Sequence, residues 1–351
     1  MKKNYLKITA GVMSSAMLIG LCAAGVPAKV IAATEHWNDA SASATQWNQW
    51  KNNWNTYSSN YEHVSLTPGA DQTQLNLAWY SHTTETPAVR IATKQNMDGA
   101  KEFVGTQTEA VTIDGVKYFS NKATVKGLKE NTKYYYQVFQ NGKWQDAETY
   151  TTKSFDSFSF LYVGDPQIGA SKNQTSTEQE KMVSAGNEVS SAAKDNLAAR
   201  NDGYNWNNIL NDAVKDHEDV SFIVSAGDQV NAGKNEREYA AYLGADALAS
   251  LPVATTIGNH DSVSNQYTLH FNNPNAFSDK DANYIQGKTE AGTDYYYRYG
   301  NTLFMVLDTN NYNCATHENV MKKAISENKD AKWRIVVFHQ DIYGSGYDHS
   351  D

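Results

Sequence analysis

Hydrophobic and polar positions along the chain follow three successive patterns, and the first is helical. Between residues 34 and 62, aromatic side chains recur every three or four residues, which places them on one face of a helix. They are Trp47, Trp50, Trp54, Tyr57 and Tyr61. We predict a Trp-rich helical linker over 34–62 whose aromatic face packs on the body of the protein. A carbohydrate- or wall-binding aromatic stripe is the alternative.

From residue 63 to residue 153 the pattern changes to the period of two that is typical of β-strands. Turn signals at Pro68-Gly69, Asp114-Gly115 and Asn141-Gly142 separate the apolar runs. The predicted strands lie at 75–81, 88–94, 122–128 and 132–140. Short strands joined by such turns indicate an all-β sandwich, and this segment offers no cluster of nucleophiles or metal ligands.

From residue 156 onward, apolar strands alternate with helices, which predicts an α/β domain over 156–351 with a largely buried sheet. The predicted strands are 158–165, 219–228, 251–261, two strands about Gly300-Asn301 within 294–310, and 332–341. The predicted helices are 177–198, 204–217, 235–249 and 316–329. The polar stretch 170–200 is expected to form a long excursion near the site.

Four of these predicted strands end in polar residues that can bind metal ions. Asp165 ends the first, Asp228 ends the second, and His339 lies near the end of the last. The third strand ends in Asn259, His260 and Asp261. A single Asp at a strand end is often a helix cap. Four such ends are better explained by one site, because ligands gather outside the carboxyl ends of strands in α/β sheets.

Two metal ions held a few ångströms apart would explain this set of residues, because together they activate a water molecule and clamp phosphoryl oxygens. Asp228 is predicted to bridge the two metals, with Asp165 on the first metal and Asn259 and His339 on the second. His260 is predicted to contact the phosphate or to give a proton to the leaving group. This mixture of oxygen and imidazole ligands suits Fe, Mn or Zn.

The N-terminal residues have the pattern of a secretory signal peptide. Lys2, Lys3 and Lys7 precede an uncharged apolar run, and cleavage sites are available at Ala28 or Ala33. We predict a cleaved signal over 1–33, and hence a secreted protein without stable membrane insertion. A transmembrane anchor is the alternative.

Charge and cysteine content narrow the function further. The whole chain has a formal net charge of −9, and removal of residues 1–33 leaves 26 basic and 39 acidic residues, a net charge of −13. An acidic exterior argues against nonspecific binding of nucleic acid. Cys314 is then the single cysteine, so we expect no internal disulfide.

The order GD, GDQVN, GNHD and then a His resembles the calcineurin-like metallophosphoesterase superfamily. The preceding sandwich, with its segment GLKENTKYYYQV, makes the chain similar to the purple acid phosphatase branch, whose members carry a fibronectin-III-like N-terminal domain. The resemblance implies a fibronectin-III-like sandwich followed by a four-layer α/β phosphoesterase domain, with two β-sheets flanked by helices. It also implies two metal ions and acid-phosphatase-like hydrolysis of phosphoesters.

The chain departs from the family pattern at two predicted site residues. Asn231 stands where purple enzymes have a Tyr ligand of ferric iron, so we expect no purple colour. Gln167 stands where the superfamily usually has a His. It either gives an amide oxygen to the first metal or orients a bound water or phosphate. Both residues are tentative ligands, and the first metal is expected to be the weaker one.

The resemblance also concerns the end of the sequence. His349 lies ten residues beyond His339, where the family has a His that binds phosphate or protonates the leaving group; a solvated loop residue is the alternative. The family's later Gly-His-x-His motif does not occur in this sequence. We therefore expect a chain truncated at its C-terminus that is weakly active or inactive by itself.

These observations favour a secreted phosphomonoesterase that acts on a small-molecule phosphoester. A phosphodiesterase or nucleotidase on the same fold is an alternative, because the site residues do not separate monoesters from diesters. A non-catalytic cell-surface binding protein is another. The five residues Asp165, Asp228, Asn259, His260 and His339 argue against it, because a binding module does not need all of them.

Overall fold

The computed structural model describes residues 44–173, 190–277 and 293–341. The predicted signal peptide over 1–33, the predicted site residue His349 and the first part of the predicted helix 177–198 lie outside the described residues. Within these ranges, no helix is long and apolar enough to cross a membrane.

The described residues between 65 and 151 form a sandwich of nine strands. They are β1 (Ser65–Pro68), β2 (Gln74–Ser81), β3 (Ala88–Ala92), β4 (Lys101–Val104), β5 (Thr106–Ile113), β6 (Val116–Lys126), β7 (Lys133–Gln140), β8 (Lys143–Trp144) and β9 (Glu148–Thr151). One antiparallel sheet has the order β1-β2-β6-β5. In the other, β7 pairs with β3, β8 and β9, and β3 also pairs with β4. The fibronectin-III pattern, which has seven strands, therefore describes it only approximately.

Turn chemistry predicts two hairpin turns of this sandwich, but the predicted strands omit β1, β4, β5, β8 and β9. Asp114-Gly115 and Asn141-Gly142 have positive φ at both positions, as two-residue hairpin turns require. The sequence does not predict β4 and β5, because their residues are mostly polar and exposed and give no apolar alternation.

The phosphoesterase-like part has two sheets of three strands among its described residues. The first, in the order β10 (Ser159–Val163), β11 (Val220–Ser225) and β12 (Val253–Ala254), is parallel. In the second, β13 (Tyr295–Tyr299) is antiparallel to β14 (Thr302–Val306), which is parallel to β15 (Trp333–Val337). The predicted strand 251–261 is too long: β12 ends at Ala254, the N–H of Thr256 still donates to the carbonyl of Ser225, and the loop that carries Asn259 follows.

Helices cover the outer faces of both sheets, which gives the four layers that the family resemblance implies. The described helices are α1 (Ala44–Ser58), α2 (Ser191–Asp216), α3 (Glu236–Leu243), α4 (Gln266–His270) and α5 (Cys314–Glu327). Apolar residues of α1, α2 and α3 share a core with β11. Residues of α5 pack on the outer face of β13 and β14. Between the sheets lies a core rich in aromatic residues, including Phe222, Tyr297 and Phe304.

Two helix predictions have clear outcomes. The three tryptophans of α1 are buried: the Trp50 indole donates to the carbonyl of Arg200 in α2, and Trp54 donates to the Asn196 side chain. The prediction is wrong for the two tyrosines, because Tyr57 is 38% exposed and Tyr61 lies beyond the end of the helix. The predicted break between helices at 198–204 is wrong, because α2 runs through it. At Gly203 a β-carbon would lie 3.0 Å from Cβ of Ala241, so this glycine allows close helix packing and does not end the helix.

A short segment of the phosphoesterase-like part, residues 268–272, lies on the sheet of the sandwich; we call it the docking segment. Its carbonyl oxygens accept hydrogen bonds from side chains of β1, β2 and β6: Ser65, Thr67, Asn76, Ser120 and Lys122. The His270 ring stacks between Tyr80 and Tyr239, and its Nε2 lies 2.7 Å from Glu236. The sandwich therefore fixes the chain that follows the GNHD loop.

The His63 ring near this interface predicts an acid-sensitive fold. Its Nε2 is buried without a hydrogen-bond partner, and burial, with a smaller contribution from His270, lowers the pKa of His63 to about 4. In the unfolded chain, His63 takes up a proton at about pH 6.5. The free energy of unfolding therefore falls as the pH drops from there toward the pKa of His63 in the folded protein. We expect His63→Gln to reduce the loss of unfolding free energy between about pH 7.5 and about pH 4.5 by about 2.5 kcal/mol. Urea titrations at both pH values measure this, and equal losses in both proteins would contradict it.

Candidate metal centre

Two sharp turns carry the carboxylates that follow β10 and β11. Asp165 and Asp228 have left-handed backbones, with φ of +48° and +49°, which residues other than glycine seldom adopt. The parallel register pairs Val163 with Ser225, so both turns lie at the same edge of the sheet. Strained residues of this kind persist only where the surrounding structure holds them, and they concentrate at functional sites.

Two glycines make room for the side chains that meet at these turns. At Gly227 a β-carbon would lie 2.5 Å from Nδ1 of His339, and at Gly258 it would lie 1.9 Å from Oδ1 of Asp228. Either position would have to shift if a side chain were added. The glycines of the AGD and GNHD sequences therefore let a carboxylate and an imidazole approach the backbone of neighbouring loops.

Asp165, Asp228 and His339 each place a ligand atom within 4.8 Å of the others. Nε2 of His339 lies 3.3 Å from Oδ2 of Asp228 and 3.0 Å from Oδ1 of Asn259. The side chain of Asp228 is 5% exposed, whereas that of Asp165 is 59% exposed. Four of the predicted ligands thus converge on one place, which opens to solvent on the side of Asp165.

The hydrogen bond of the second ring nitrogen directs His339 into the cluster. Nδ1 donates to the carbonyl of Ala226 at 2.9 Å, which leaves Nε2 facing the oxygens of Asp228 and Asn259. Burial lowers the pKa of His339, but the hydrogen bond to Asp228 and the charge of Asp228 outweigh it and raise the pKa to about 9. A proton on Nε2 therefore lies between oxygens that a metal ion would otherwise share.

The chemistry of this donor set fits a metal ion. Burial raises the pKa of Asp165, and the charge of Asp228 raises it further while His339 lowers it. Two carboxylates, an amide oxygen and an imidazole nitrogen form a cluster with excess negative charge when His339 is neutral. A cation of the first transition row accepts ligands of all three types and compensates this charge.

His260 and Gln167 form a second group beside the cluster. The backbone N–H of His260 donates to Oδ1 of Asp228 at 2.9 Å. Its ring Nδ1 lies 2.7 Å from the carbonyl of Asn231 and must donate to it, so its Nε2 accepts from the Gln167 amide at 3.0 Å. The same amide nitrogen lies 3.3 Å from Oδ1 of Asn231. The structure thus joins Gln167, Asn231 and His260 to each other, and their roles stay predictions.

Asp261 connects the loops that carry the site residues, a role that the sequence analysis did not predict. Its side chain is fully buried, and its carboxylate accepts from the backbone N–H groups of Gln229, Val230 and Gly258. Burial is the main reason that the pKa of Asp261 is raised to about 7. Asp261 therefore joins the Asp228 loop to the Asn259 loop. In the sequence, Asp261 is marked only by its place in GNHD, where the pattern indicates one more carboxylate at the end of a strand.

Removal of the Gln167 side chain is predicted to slow substrate turnover without changing metal binding. Its amide nitrogen is engaged by His260 and Asn231, so Gln167→Ala should release the His260 ring. We expect about a tenfold loss of kcat/KM for an aryl phosphate, the value of one hydrogen bond, with unchanged metal content. Metal analysis alongside kinetics distinguishes the two roles. Loss of one metal equivalent would assign Gln167 as a ligand instead.

Two family models match the chain. Residues 61–152 match the model of the purple acid phosphatase N-terminal domain, and residues 158–351 match the calcineurin-like phosphoesterase model. Among curated proteins, none matches the sequence significantly.

One of two similar solved structures supports this fold. A purple acid phosphatase from yellow lupin (Lupinus luteus) seeds has a TM-score of 0.54 at 13% sequence identity, over 81% of this chain and 51% of that chain. PhoD has a TM-score of 0.40 at 12% identity, over 72% of this chain and 52% of that chain, which is too low to support a fold. The chain spans about half the length of these structures, and the lupin likeness supports the fold alone. Because the phosphoesterase model matches more than half of its residues, the chain belongs to the calcineurin-like phosphoesterase family.

Proposed function

We propose that this protein is a metal-dependent phosphoester hydrolase that acts on phosphomonoesters. The observation that carries this proposal is the convergence of Asp165, Asp228 and His339, with Asn259 beside them, at one edge of the sheet. Strained turns and two close-packed glycines hold these side chains together. A protein that only binds a cell-surface partner has no need of such an arrangement.

The residues divide naturally between two metal positions. When bound, two metal ions would lower the pKa of a shared water and neutralise phosphoryl oxygens. Asp228 is proposed to serve both positions, because it is central and nearly buried. Asp165 serves the first position. Asn259 and His339, which face each other across 3.0 Å, serve the second.

His260 is proposed to bind the phosphoryl group and to hold the proton for the leaving group. Its Nδ1–H is committed to the carbonyl of Asn231, so a transferable proton must reside on Nε2. Rotation of the Gln167 amide would present Oε1 to that proton. His349, outside the described residues, is proposed to assist at the same phosphate.

Metal identity and export are further parts of the proposal. Because Asn231 supplies no phenolate for ferric iron, we propose divalent Fe, Mn or Zn. Export is proposed from the lysines and apolar run of residues 1–33. Sequencing the N-terminus of protein recovered from culture medium tests it, and an intact N-terminus held in the membrane fraction would favour an anchor.

Hydrolysis assays after metal removal and replacement test the activity. The chain is stripped with a chelator, and Mn²⁺, Zn²⁺ or Fe²⁺ is added back before assay on p-nitrophenyl phosphate and bis(p-nitrophenyl) phosphate. We expect about two metals per chain and turnover of the monoester that depends on metal, although the turnover by this chain alone is expected to be weak. Faster turnover of the diester would indicate a phosphodiesterase. If the protein bound no metal and hydrolysed neither ester, that result would contradict a hydrolase and favour a binding protein.

A further inference from the structure

One side chain in the loop after β14 reaches both ligand-bearing segments of the second metal position. Nδ2 of Asn310 donates to the carbonyl of Gly258, the residue before Asn259, at 3.3 Å. Oδ1 of Asn310 accepts from Nε2 of Gln340, the residue after His339, at 2.9 Å. Asn310 therefore joins the two segments whose side chains meet at this position.

The loop that carries Asn310 is held by two buried carboxylates. Asp308 accepts from both the backbone N–H and the side-chain amide of Asn310, at 3.0 Å and 2.9 Å. The backbone N–H of Asp308 donates to Oδ1 of Asp294 at 2.6 Å. Asp294 is fully buried and Asp308 is 6% exposed, so this arrangement is shielded from water.

Behind the loop, both ring nitrogens of His317 face hydrogen-bond acceptors. Nδ1 lies 2.8 Å from Oδ2 of Asp294, and Nε2 lies 2.7 Å from the carbonyl oxygen of Asn311. A carboxylate and a carbonyl can only accept, so both nitrogens must carry a proton for both bonds to form. With Asp294 as a carboxylate, the two bonds thus require a charged imidazolium that connects α5, the loop and the segment before β13.

The charged groups around His317 support this state. Asp294 faces the ring from the segment before β13, and Asp308 faces it from the loop. Burial lowers the pKa of His317, but the hydrogen bond to Asp294, the charge of Asp294 and smaller contributions from Asn311 and Asp308 together raise it above its ordinary value. His317 lies outside the residues proposed to bind metal and contacts none of them.

We propose that Asn310 is a positioning residue for the second metal position, and that the ion pair of His317 and Asp294 holds its loop in the working arrangement. This deepens the proposed function and rests on it. When His317 loses its proton, one of its two hydrogen bonds is lost and the loop is released. The support of Asn259 and His339 then weakens, so the second position is best organised on the acid side of the His317 titration.

Binding of Co²⁺ to two Asn310 variants tests the positioning role. Asn310→Ala is expected to bind Co²⁺ about 10- to 100-fold more weakly, as when a group that supports a metal ligand is lost. Asn310→Asp keeps the acceptor for Gln340, but its side chain cannot donate to Asp308 or Gly258 and adds a charge beside Asp308, so it should bind more weakly still. Asn55→Ala, on the exposed face of α1, is the control and should bind normally.

The pH dependence of His317→Gln tests the ion pair. Affinity for Co²⁺ depends on pH through His339 itself, so the ratio of wild-type to variant affinity is measured at each pH, which cancels that contribution. We expect a ratio of about 10 near pH 6 that falls toward about 1 at alkaline pH. Glu318→Gln, on the same helix but exposed and paired with Lys322, should give a flat ratio. A flat ratio for His317→Gln would overturn the proposed ion pair.

Nuclear magnetic resonance of the metal-free chain separates failure of this proposal from failure of the hydrolase function. Asn310→Ala should shift the Cε1–H resonance of His339, and Asn55→Ala should not. This shift is expected even if wild-type protein binds no Co²⁺, an outcome that would contradict only the proposed hydrolase function. An unshifted His339 resonance overturns the positioning role. If His317→Gln does not fold, the ion pair is tested by nuclear magnetic resonance titration of His317 in the wild-type protein. An ordinary pKa of about 6.5 for His317 would overturn the ion pair.

Discussion

Asp228→Asn is expected to weaken metal binding by at least about a hundredfold and to remove metal-dependent turnover, the largest effect of any single substitution considered. Asn is nearly isosteric and can still accept the N–H of His260 through Oδ1. It replaces Oδ2 with an amide that faces Nε2 of His339. The variant therefore keeps the shape of the turn but loses the central charge of the cluster.

Calorimetric titration of the stripped protein with Mn²⁺ measures this loss, and p-nitrophenyl phosphate reports turnover. Asp246→Asn is a matched control, because Asp246 is exposed and its carboxylate also accepts side-chain amides, those of Asn207 and Asn211. It should bind Mn²⁺ as the wild type does. If Asp228→Asn bound Mn²⁺ with wild-type affinity, the metal centre would have to lie elsewhere.

Asp261→Ala is expected to lower the free energy of unfolding by about 2–4 kcal/mol at neutral pH. Three buried N–H groups, from Gln229, Val230 and Gly258, would lose their acceptor. The expected loss is smaller than three full penalties, because removing the carboxylate also removes the cost of burying it, which its raised pKa reports. Metal binding should weaken as well, since these groups shape the loops of Asp228 and Asn259.

Urea denaturation of the metal-free protein measures the stability, so that loss of metal does not contribute. Asp156→Ala, an exposed carboxylate in the linker before β10, should change the free energy of unfolding by less than about 0.5 kcal/mol. A change below about 1 kcal/mol for Asp261→Ala would mean that its three backbone partners find other acceptors.

The candidate metal ligands at strand ends could be predicted because the residues next to them in the sequence indicate where each strand ends. Asp165 and Asp228 each follow an apolar run and a glycine, and in an α/β sheet ligands gather outside the carboxyl ends of such strands. His339 followed in the same way from the apolar run before it. The α/β alternation and the hairpin turns are equally local, so the fold class followed from them.

Features that depend on distant contacts could not be predicted in this way. Thr255 and Thr256 look like strand residues, yet β12 ends at Ala254, and the conformation beyond it involves a contact between Asp261 and the backbone of a different loop. Gly203 looks like a helix break, but its use is to admit Ala241 of another helix. Asn310 lies in a polar loop whose sequence carries no motif, and its importance comes from two partners that are 52 and 30 residues away.

The way the docking segment is held has a consequence for how the two matched regions can diverge. The sandwich donates its hydrogen bonds to main-chain oxygens of residues 268–272, which exist whatever side chains the segment carries. Substitutions at Thr268 and Leu269 therefore leave those acceptors in place, whereas loss of Ser65, Ser120 or Lys122 removes a donor. A sandwich transplanted from a relative would pack correctly only if it brought such donors with it. On the segment itself, the constraint falls on Asn272, whose amide donates to the carbonyls of Leu77 and Ala123, and on His270, whose ring stacks on Tyr80.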